Sequence, residues 1–297
     1  MRILLFGAGG QVGTEILRAA ARHGDATCAL GREQGDLADG AAVRKAVAET
    51  DVDVVINAAA YTAVDQAESD VARATAVNRD GPAALAEACA ARRLPLVHFS
   101  TDYVFDGSKS APYTESDPPR PLSVYGRTKE AGECAIRARH HAHVILRTSW
   151  VYAAHGRNFV RTMLRLAQER DALSVVDDQR GAPTAAADLA RTALHVARRL
   201  GETARDRALP PYGTYHCTAA GETTWCGFAR AIFELAGARV PRVPRITPIP
   251  SSAYPVPAAR PKNSMLDNAR LAAAFDPPRR PWREGLAEVL DELLGPS

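Results

Sequence analysis

Along the first half of the chain, short runs of consecutive apolar residues alternate with longer Ala-rich stretches whose apolar positions recur at helical spacing. A run that is apolar throughout is typical of a parallel strand buried on both faces. The pattern predicts strands at 3–6, 27–30, 52–56, 96–99 and 144–146. It predicts helices at 12–21, 41–49, 72–91, 125–139, 158–170 and 185–200, with Pro82 marking an N-terminal turn or a kink. This alternation predicts a Rossmann-type, doubly wound parallel α/β sheet.

The chain changes character between residues 209 and 261, where many of the 20 prolines gather. We expect loops and short extended pieces there rather than regular helix, and a last helix at 282–294. The segment around Tyr215 is expected to return to the large sheet as a strand. We therefore predict a dinucleotide-binding domain from 1–150 and about 176–217. A smaller, interleaved substrate-binding α/β domain is predicted from about 151–175 and 218–297.

Composition narrows the classes of partner. The 297 residues carry 37 Lys and Arg against 34 Asp and Glu, a net charge of +3, which argues against a nucleic-acid partner. No apolar run approaches the ~18 residues that cross a bilayer, and the apolar opening is interpreted as a strand rather than a signal peptide. We therefore expect no membrane partner and a cytoplasmic location. Five cysteines, an odd number without a C-x-x-C pair, indicate reduced thiols rather than disulfides or zinc.

A glycine-rich turn follows the first predicted strand and opens the first predicted helix. Gly7, Gly10 and Gly13 stand at G-x-x-G-x-x-G spacing, with Gln11 and Val12 between the last two. Residues without a Cβ let backbone N–H groups and a helix N-terminus approach a diphosphate closely. In this position, between a strand and a helix, the pattern predicts a dinucleotide site.

Arg32 comes directly after the second predicted strand. An acidic residue at this place would select a free ribose 2′-hydroxyl, whereas a basic residue accepts a 2′-phosphate. NADPH is therefore the predicted cofactor. The alternative is a solvated surface arginine with Glu33 beside it, and it leaves NADH open as the cofactor.

Three polar side chains form a candidate site for proton transfer to or from a substrate oxygen. Thr101 ends the fourth predicted strand, and ligands bind at the carboxyl ends of strands in open α/β sheets. Tyr125 and Lys129 are four residues apart and share one face of a helix. An ammonium one turn from a phenol favours the phenolate and so lowers the pKa of the phenol. A Y-x-x-x-K pair is common on surface helices, so its weight comes from its combination with the glycine turn and the strand-end hydroxyl.

Together these features resemble the extended short-chain dehydrogenase/reductase family. Six stretches narrow the resemblance to the branch that reduces the 4-keto group of a dTDP-linked 6-deoxy sugar: NAAAYTAVD (57–65), STDYVFDG (100–107), YGRTK (125–129), RTSWVY (147–152), DDQRGAPT (177–184) and RPKNSMLD (260–267). The Tyr-Lys pair is shared by the whole superfamily, whereas RTSWVY and DQRGAPT are more specific to this branch. The resemblance covers essentially the whole chain.

The resemblance implies a role for each matching position. Tyr125 would give a proton to the sugar oxygen as hydride reaches carbon 4, and Thr101 would hydrogen-bond the carbonyl. Lys129 would bind the nicotinamide ribose and lower the pKa of the phenol. The implied reaction converts dTDP-4-dehydro-β-L-rhamnose to dTDP-L-rhamnose, the last step of its synthesis. The cofactor would lie along Gly7, Gly10, Gln11, Val12, Gly13, Arg32, Asp36, Leu37, Ala58, Ala59, Ala60, Tyr125 and Lys129.

The same resemblance implies substrate contacts from Val64, Asp65, Thr101, Asp102, Trp150, Asn158, Gln179 and Arg260. Trp150 would pack on a sugar or base, with core packing as the alternative. Arg260 would meet the diphosphate. Asp36 has a second interpretation as a helix N-cap. Some similar proteins form homodimers bridged by Mg²⁺ through glutamates; the candidates here are Glu15, Glu284, Glu288 and Glu292. Hydride transfer needs no metal, so no metal site is predicted, and a homodimer is left open.

Two other functions fit parts of the pattern. One is an NADP-binding regulatory subunit without catalysis, like that of methionine adenosyltransferase, which has this fold and similar motifs. The other is a different sugar-nucleotide enzyme of the same extended family: another reductase, an epimerase or a dehydratase. Dehydratases commonly place Asp-Glu after the strand-end hydroxyl, whereas Asp102-Tyr103 follow Thr101 here. The intact set of Thr101, Tyr125 and Lys129 favours a working reductase.

Overall fold

The computed structural model describes residues 1–205 and 210–296, and the alternation predicted for the first half is present in it. Leu209, where the proline-rich stretch begins, lies outside the described residues. The strands are β1 (Arg2–Phe6), β2 (Ala26–Leu30), β3 (Val54–Asn57), β4 (Leu96–Thr101), β5 (His143–Thr148), β6 (Val151–Tyr152), β7 (Ala172–Val176), β8 (Arg180–Gly181), β9 (Thr184–Ala185), β10 (Gly213–His216), β11 (Thr223–Thr224) and β12 (Arg245–Ile249). The α-helices are α1 (Gln11–Arg22), α2 (Gly40–Glu49), α3 (Val64–Ala67), α4 (Val71–Thr75), α5 (Gly81–Arg92), α6 (Val124–Arg139), α7 (Phe159–Glu169), α8 (Ala186–Arg205), α9 (Trp225–Ala236), α10 (Ala269–Phe275) and α11 (Trp282–Leu294).

Six strands of the described chain form one parallel sheet in the order β2-β1-β3-β4-β5-β10. Ile3 and Leu5 of β1 face one core, Leu4 and Phe6 face the other, and all four are 0% exposed. Helices α1 and α8 pack together on the first side, and α2, α5 and α6 cover the second. Burial on both faces explains why the strands are apolar throughout. The predicted doubly wound α/β fold is confirmed.

The sheet order reverses at β1 and β3. The chain passes from β1 to β2 on one side and then crosses to β3 on the other. In open α/β sheets, ligands bind at such a switch point, outside the carboxyl ends of the strands. The strand predicted around Tyr215 is also present, because β10 pairs with β5 and forms the opposite edge of the sheet.

A separate hydrophobic core, away from the two faces of the large sheet, lies among α7, α9 and α11 and includes Met163, Phe228 and Leu286. Three two-stranded sheets lie outside the large one within the described residues: β7 with β12 and β6 with β9 in parallel, and β8 with β11 antiparallel. Within 176–217, α8 and β10 associate with the large sheet, whereas β8 and β9 pair with strands of the small ones. The predicted domain boundaries stay a prediction.

The helix predicted at 72–91 is interrupted by a π-helical turn, Ala76–Asp80, between α4 and α5. Pro82 occupies the first turn of α5. Because proline has no N–H, it cannot donate to the carbonyl four residues earlier, that of Asn78. That carbonyl meets Gly132 of α6, where a Cβ would come within 2.1 Å of Asn78 O. The expected kink therefore takes the form of a π turn against a neighbouring helix.

Regular helix is present where none was expected, because α9 occupies Trp225–Ala236. No proline falls between Pro211 and Pro241, so nothing in the sequence interrupts a helix there. Thr224 caps the helix by accepting a hydrogen bond from Gly227 N at 2.9 Å. The expectation of no helix was wrong because it extended the proline-rich character across a stretch without prolines.

Candidate active site

A cleft of about 970 Å³ lies at the carboxyl ends of the strands, at the switch point between β1 and β3. The predicted site residues that line it are Gly7, Gly10, Gln11, Val12, Arg32, Asp36, Leu37, Ala58, Ala59, Ala60, Val64, Thr101, Asp102, Tyr125, Lys129 and Trp150. The glycine turn thus forms one wall of the cleft, and the ends of β3 and β4 form another. The predicted residues outside its lining are Gly13, Asp65, Asn158, Gln179 and Arg260.

The glycine turn is packed too tightly for side chains. Gly7 has φ of +85°, and a Cβ on it would come within 2.5 Å of Ala59 N. A Cβ on Gly13 would come within 2.1 Å of Gly7 O, so Gly13 supports the turn from behind rather than lining the cleft as predicted. Gly10 is the N-cap of α1 and supplies no capping side chain. The first N–H groups of α1 therefore remain available to an anion, and the diphosphate of a dinucleotide fits this cradle.

Arg32, Asp36 and Arg73 line the cleft beside the end of β2. Arg73 Nη2 donates to Asp36 Oδ2 at 2.6 Å. Asp39, rather than Asp36, is the N-cap of α2, where it accepts from two backbone N–H groups of the first turn. The N-cap alternative for Asp36 is therefore wrong. Arg73 was not predicted as a site residue, because it lies 37 residues from Asp36 in the sequence and no local pattern connects the two.

Thr101 ends β4, and Tyr125 lies in the first turn of α6. Ser123 caps that helix, since its Oγ accepts from Gly126 N at 3.1 Å. Both Thr101 and Tyr125 are buried. Burial raises the pKa of Tyr125 to about 12, while the hydroxyl of Thr101 acts in the opposite direction. The phenol is therefore neutral at pH 7 and carries a proton that it can donate.

Lys129 is 2% exposed, and its Nζ donates to Phe99 O at 2.7 Å. His98 Nε2 lies 3.3 Å from the same Nζ. Burial lowers the pKa of Lys129 to about 8. The predicted effect of Lys129 on the phenol is not what this geometry shows, because burial dominates at Tyr125 and raises its pKa.

Asp102 is a carboxyl group in the wall of the cleft and is 3% exposed. Its Oδ1 accepts from Thr101 Oγ1 at 3.0 Å. Its Oδ2 has no hydrogen-bond partner among the described residues. Burial raises the pKa of Asp102 to about 6, and Ser264 and Thr101 offset only part of that effect. Asp102 is thus a group whose charge changes just below neutral pH inside the cleft.

Asp65 and Arg260, both predicted substrate contacts, bind each other. Arg260 Nη2 donates to Asp65 Oδ2 at 2.8 Å, and its Nη1 donates to Asp65 Oδ1 at 3.0 Å. Ala258 N also donates to Asp65 Oδ1 at 3.2 Å. The pair joins the segment after β3 to the proline-rich segment and leaves Val64 in the cleft wall.

Trp150 has left-handed backbone geometry, with φ of +51°. Its ring stacks on that of Trp225, with centroids 3.7 Å apart and planes 11° apart. Gly181 gives the ring its space, because a Cβ there would come within 2.5 Å of Trp150 Cε2. Both interpretations of Trp150 hold in part, since the ring packs against protein and also lines the cleft.

Asn158 and Gln179 support neighbouring segments. Asn158 caps α7 and donates from Nδ2 to Gln11 Oε1 at 2.9 Å. Gln179 is 8% exposed and donates to Ser251 Oγ at 2.9 Å. Both predicted contacts therefore use their polar atoms on protein partners.

Arg157 lines the cleft, although the sequence analysis did not single it out. Both neighbours of Arg157 in the sequence approach Gln11 of α1. Asn158 makes the hydrogen bond described above, and Gly156 lies so close that a Cβ added to it would come within 2.9 Å of Gln11 Cγ. His155 Nε2 lies 2.8 Å from Glu15 Oε1 of the same helix. The loop at 153–158 is thereby fixed to the N-terminal part of α1, and Arg157 is exposed there. The sequence pointed to Arg157 only through its position next to Asn158, a predicted substrate contact.

The candidate Mg²⁺ ligands in the sequence are the four glutamates Glu15, Glu284, Glu288 and Glu292. The described residues contain no group of three or more His, Cys, Asp or Glu side chains that could hold a metal ion. Glu15 and Glu292 both accept from Arg18 Nη1, at 3.0 and 2.7 Å. Glu288 accepts from Arg280 Nη2 at 2.9 Å. Three of the four candidate glutamates are thus paired with arginines, and the absence of a metal site stays a prediction.

Residues 1–294 match the family model described as the RmlD substrate binding domain. The chain is 48% identical over 296 residues to a dTDP-4-dehydrorhamnose reductase of Streptomyces griseus, covering 99% of this chain and 94% of that one. The chain belongs to the dTDP-4-dehydrorhamnose reductase family. The corresponding protein of Burkholderia thailandensis is 46% identical over 300 residues, with 99% of each chain covered. A crystal structure from Bacillus anthracis, in complex with NADP, superposes with a TM-score of 0.89 at 34% identity and covers 98% of this chain and 99% of that one.

The predicted family and enzyme class are therefore confirmed for this reductase, and a nicotinamide cofactor is supported by the NADP complex of a relative. A UDP-glucose 4-epimerase structure from Thermus thermophilus covers 99% of both chains with a TM-score of 0.76, but at 23% identity this likeness shows the fold alone. No helix among the described residues combines the length and apolar character needed to span a membrane.

Proposed function

We propose that this chain reduces the 4-keto group of dTDP-4-dehydro-β-L-rhamnose with NADPH to give dTDP-L-rhamnose, the last step of that synthesis. The observation that carries the proposal is the position of Thr101 and Tyr125, two buried hydroxyls at the end of β4 and the start of α6, in the wall of a cleft that begins at a glycine cradle. Full-length relatives named for this reaction support it.

The cofactor would be held by the glycine turn, by Ala58, Ala59 and Ala60 at the end of β3, and by Lys129. When bound, a reduced nicotinamide supplies the hydride. Arg32 lines the cleft at the adenosine end beside the Arg73–Asp36 pair, and its guanidinium favours a 2′-phosphate. Arg32 is the reason for preferring NADPH over NADH.

Tyr125 would be the general acid. Its raised pKa keeps the phenol protonated at neutral pH, so the proton is in place when negative charge develops on the sugar oxygen. Thr101 would donate to the same oxygen and fix its distance from the phenol. Holding both hydroxyls on regular elements keeps the geometry constant between turnovers.

The sugar would occupy the cleft beside Val64, Asp102 and Trp150. Asp102 Oδ2, buried and without a hydrogen-bond partner among the described residues, would accept from a sugar hydroxyl. Asp65 and Arg260 would contribute as a fixed pair in which the guanidinium keeps donors for a diphosphate. Asn158 and Gln179 would act by holding Gln11 and Ser251 in place.

The decisive experiment mixes the purified protein with dTDP-4-dehydro-6-deoxy-L-mannose and either NADPH or NADH, and follows the loss of nicotinamide absorbance. Stoichiometric loss, faster with NADPH, is expected. Tight NADPH binding without loss would instead favour the regulatory subunit, and product formation without net cofactor oxidation would favour an epimerase. A cytoplasmic location, a homodimer and the two-domain division stay predictions.

A further inference from the structure

A buried chain of hydrogen-bonding groups runs under the cleft from the end of β3 to the lysine of α6. Asn57 Oδ1 accepts from Ala59 N at 3.0 Å, and Asn57 Nδ2 lies 2.9 Å from His98 Nδ1. His98 Nε2 lies 3.3 Å from Lys129 Nζ, which also donates to Phe99 O at 2.7 Å. Asn57 and His98 are 0% exposed, so water does not supply alternative partners. The five side-chain and backbone groups must satisfy one another.

The orientation of the Asn57 amide fixes the tautomer of His98. Because Asn57 Oδ1 accepts from Ala59 N, the Nδ2 group faces the imidazole, and Nδ2 can only donate. A flipped amide would set Nδ2 against the Ala59 N–H, two donors in contact. His98 Nδ1 is therefore an acceptor. A neutral imidazole carries one N–H, so His98 carries it on Nε2.

His98 remains neutral across the working pH range. Burial lowers the pKa of His98 well below its usual value, and the charges of Lys129 and His143 add to the effect. The Nε2–H of His98 therefore points at Lys129 Nζ. An ammonium has only donors, whereas a neutral amine can accept from His98 and still donate to Phe99 O.

We propose that Asn57 and His98 are positioning residues that favour the neutral amine form of Lys129 in the free protein, and that Lys129 takes up a proton when the nicotinamide cofactor binds, to an extent that grows with pH. This inference rests on the proposed contact between Lys129 and the cofactor. A dinucleotide brings ribose hydroxyls and a negatively charged diphosphate into the cleft, and both favour the ammonium form.

The other ionisable groups around Lys129 do not cancel the effect of His98. On α6, Glu133 favours the ammonium, but its carboxylate is engaged by Arg147 and Arg137. Tyr125, one turn earlier, is neutral. On β5, His143 is buried, and its pKa is lowered by burial. Burial lowers the pKa of Lys129 to about 8, and Glu133 offsets only part of that effect.

The test is the number of protons taken up when NADPH binds, obtained by titration calorimetry in two buffers that differ in ionisation enthalpy. With the pKa of free Lys129 at about 8, the wild-type chain should take up roughly 0.1 proton at pH 7, 0.5 at pH 8 and 0.9 at pH 9. The dissociation constant for NADPH should rise about tenfold per pH unit above pH 8. This series needs no variant, and the absence of uptake at pH 8 and 9 would overturn the inference.

His98→Gln supplies the second arm. A glutamine can present its amide oxygen to Lys129 and accept from the ammonium, so uptake at pH 8 should fall clearly below the ~0.5 proton of the wild type. His216→Gln is the matched control, since His216 is also 0% exposed and lies on β10 with its Nδ1 3.0 Å from Tyr113 O. A purely structural role for His98 predicts lower stability with unchanged uptake, and that result would overturn the inference. Failure of the wild-type chain to bind NADPH at all would contradict the proposed function itself.

Discussion

The Arg147 guanidinium meets the Glu133 carboxylate through two hydrogen bonds, Nε to Oε1 at 2.8 Å and Nη2 to Oε2 at 2.6 Å. The two side chains are 3% and 0% exposed. Ser100 Oγ donates to Glu133 Oε1 at 2.6 Å, and Arg137 Nη1 donates to Oε2 at 3.0 Å. The pair joins α6, which carries Tyr125 and Lys129, to β4 and β5 under the cleft.

Glu133→Gln is expected to lower the free energy of unfolding by about 3–5 kcal/mol, because it leaves the buried Arg147 without its charge partner. Burial by itself raises the pKa of Glu133, but Arg147 and Ser100 bring that pKa below its usual value. The pair therefore stabilises the fold above the ordinary glutamate pKa, and this contribution is lost as pH falls through the folded-state pKa. Urea unfolding at pH 7 measures the effect.

The matched control for that experiment is Glu87→Gln. Glu87 is 48% exposed and pairs with Arg139 at 2.9 Å, so its loss should cost about 0–1 kcal/mol. Equal effects of the two substitutions would contradict the view that burial makes the Glu133 pair important.

Tyr125→Phe should lower kcat by about 10²–10⁴-fold, because it removes the proton donor and keeps the ring. The dissociation constant for NADPH should change little, since the glycine cradle and Arg32 are untouched. Steady-state turnover and fluorescence titration with NADPH measure the two quantities. Near-normal turnover would remove Tyr125 from the proton-transfer step.

Arg157→Gln and Arg32→Gln should separate two anion contacts. Arg157 lines the cleft on a loop that is held to the N-terminal part of α1, so its loss should weaken NADPH and NADH equally, by about 10- to 100-fold. Arg32→Gln should weaken NADPH alone, because only NADPH carries the 2′-phosphate. Arg165→Gln, on the exposed face of α7 and paired with Glu169, serves as the control. An NADPH-specific effect of Arg157→Gln would place its guanidinium at the 2′-phosphate instead.

Asp102→Asn should stabilise the folded protein at pH 8 while weakening substrate binding. Burial raises the pKa of Asp102 to about 6, so the folded state holds the proton more tightly than the unfolded chain does. The wild type therefore loses stability as pH rises from about 4 to 6, by about 3 kcal/mol in total. Urea unfolding at pH 8 and pH 4 should show a gain for the variant at pH 8 that disappears at pH 4. A pH-independent difference would refute the assigned titration.

The positions of Thr101, Tyr125 and Lys129 in the cleft are predictable because strand ends, helical spacing and sheet switch points follow from short stretches of sequence. The helix α11 was predicted with the bounds it has for the same reason. The helix α9 was not predicted, because the proline-rich character of the flanking sequence was extended across a stretch that contains no proline. The π turn was missed because its partner, Gly132, lies on another helix.

Contacts between side chains that lie far apart in the sequence could not be predicted from the sequence. Asp65 and Arg260 are 195 residues apart and satisfy each other, although each was predicted to meet the substrate directly. Arg157 enters the cleft because its neighbours contact Gln11 of α1, and Arg73 because Asp36 holds it. Such pairings depend on the packed fold, and no local pattern encodes them.

The edge strand β10 has a consequence for the newborn chain. Its partner β5 ends at Thr148, whereas β10 starts at Gly213. At ribosomal rates of roughly 5–20 residues per second, the intervening ~65 residues take about 3–13 s to emerge. Throughout that interval β5 presents unpaired backbone groups, a template for pairing with another chain. Translation therefore leaves a time window in which this edge can pair with another chain, and a stop codon before Gly213 would leave the edge open permanently.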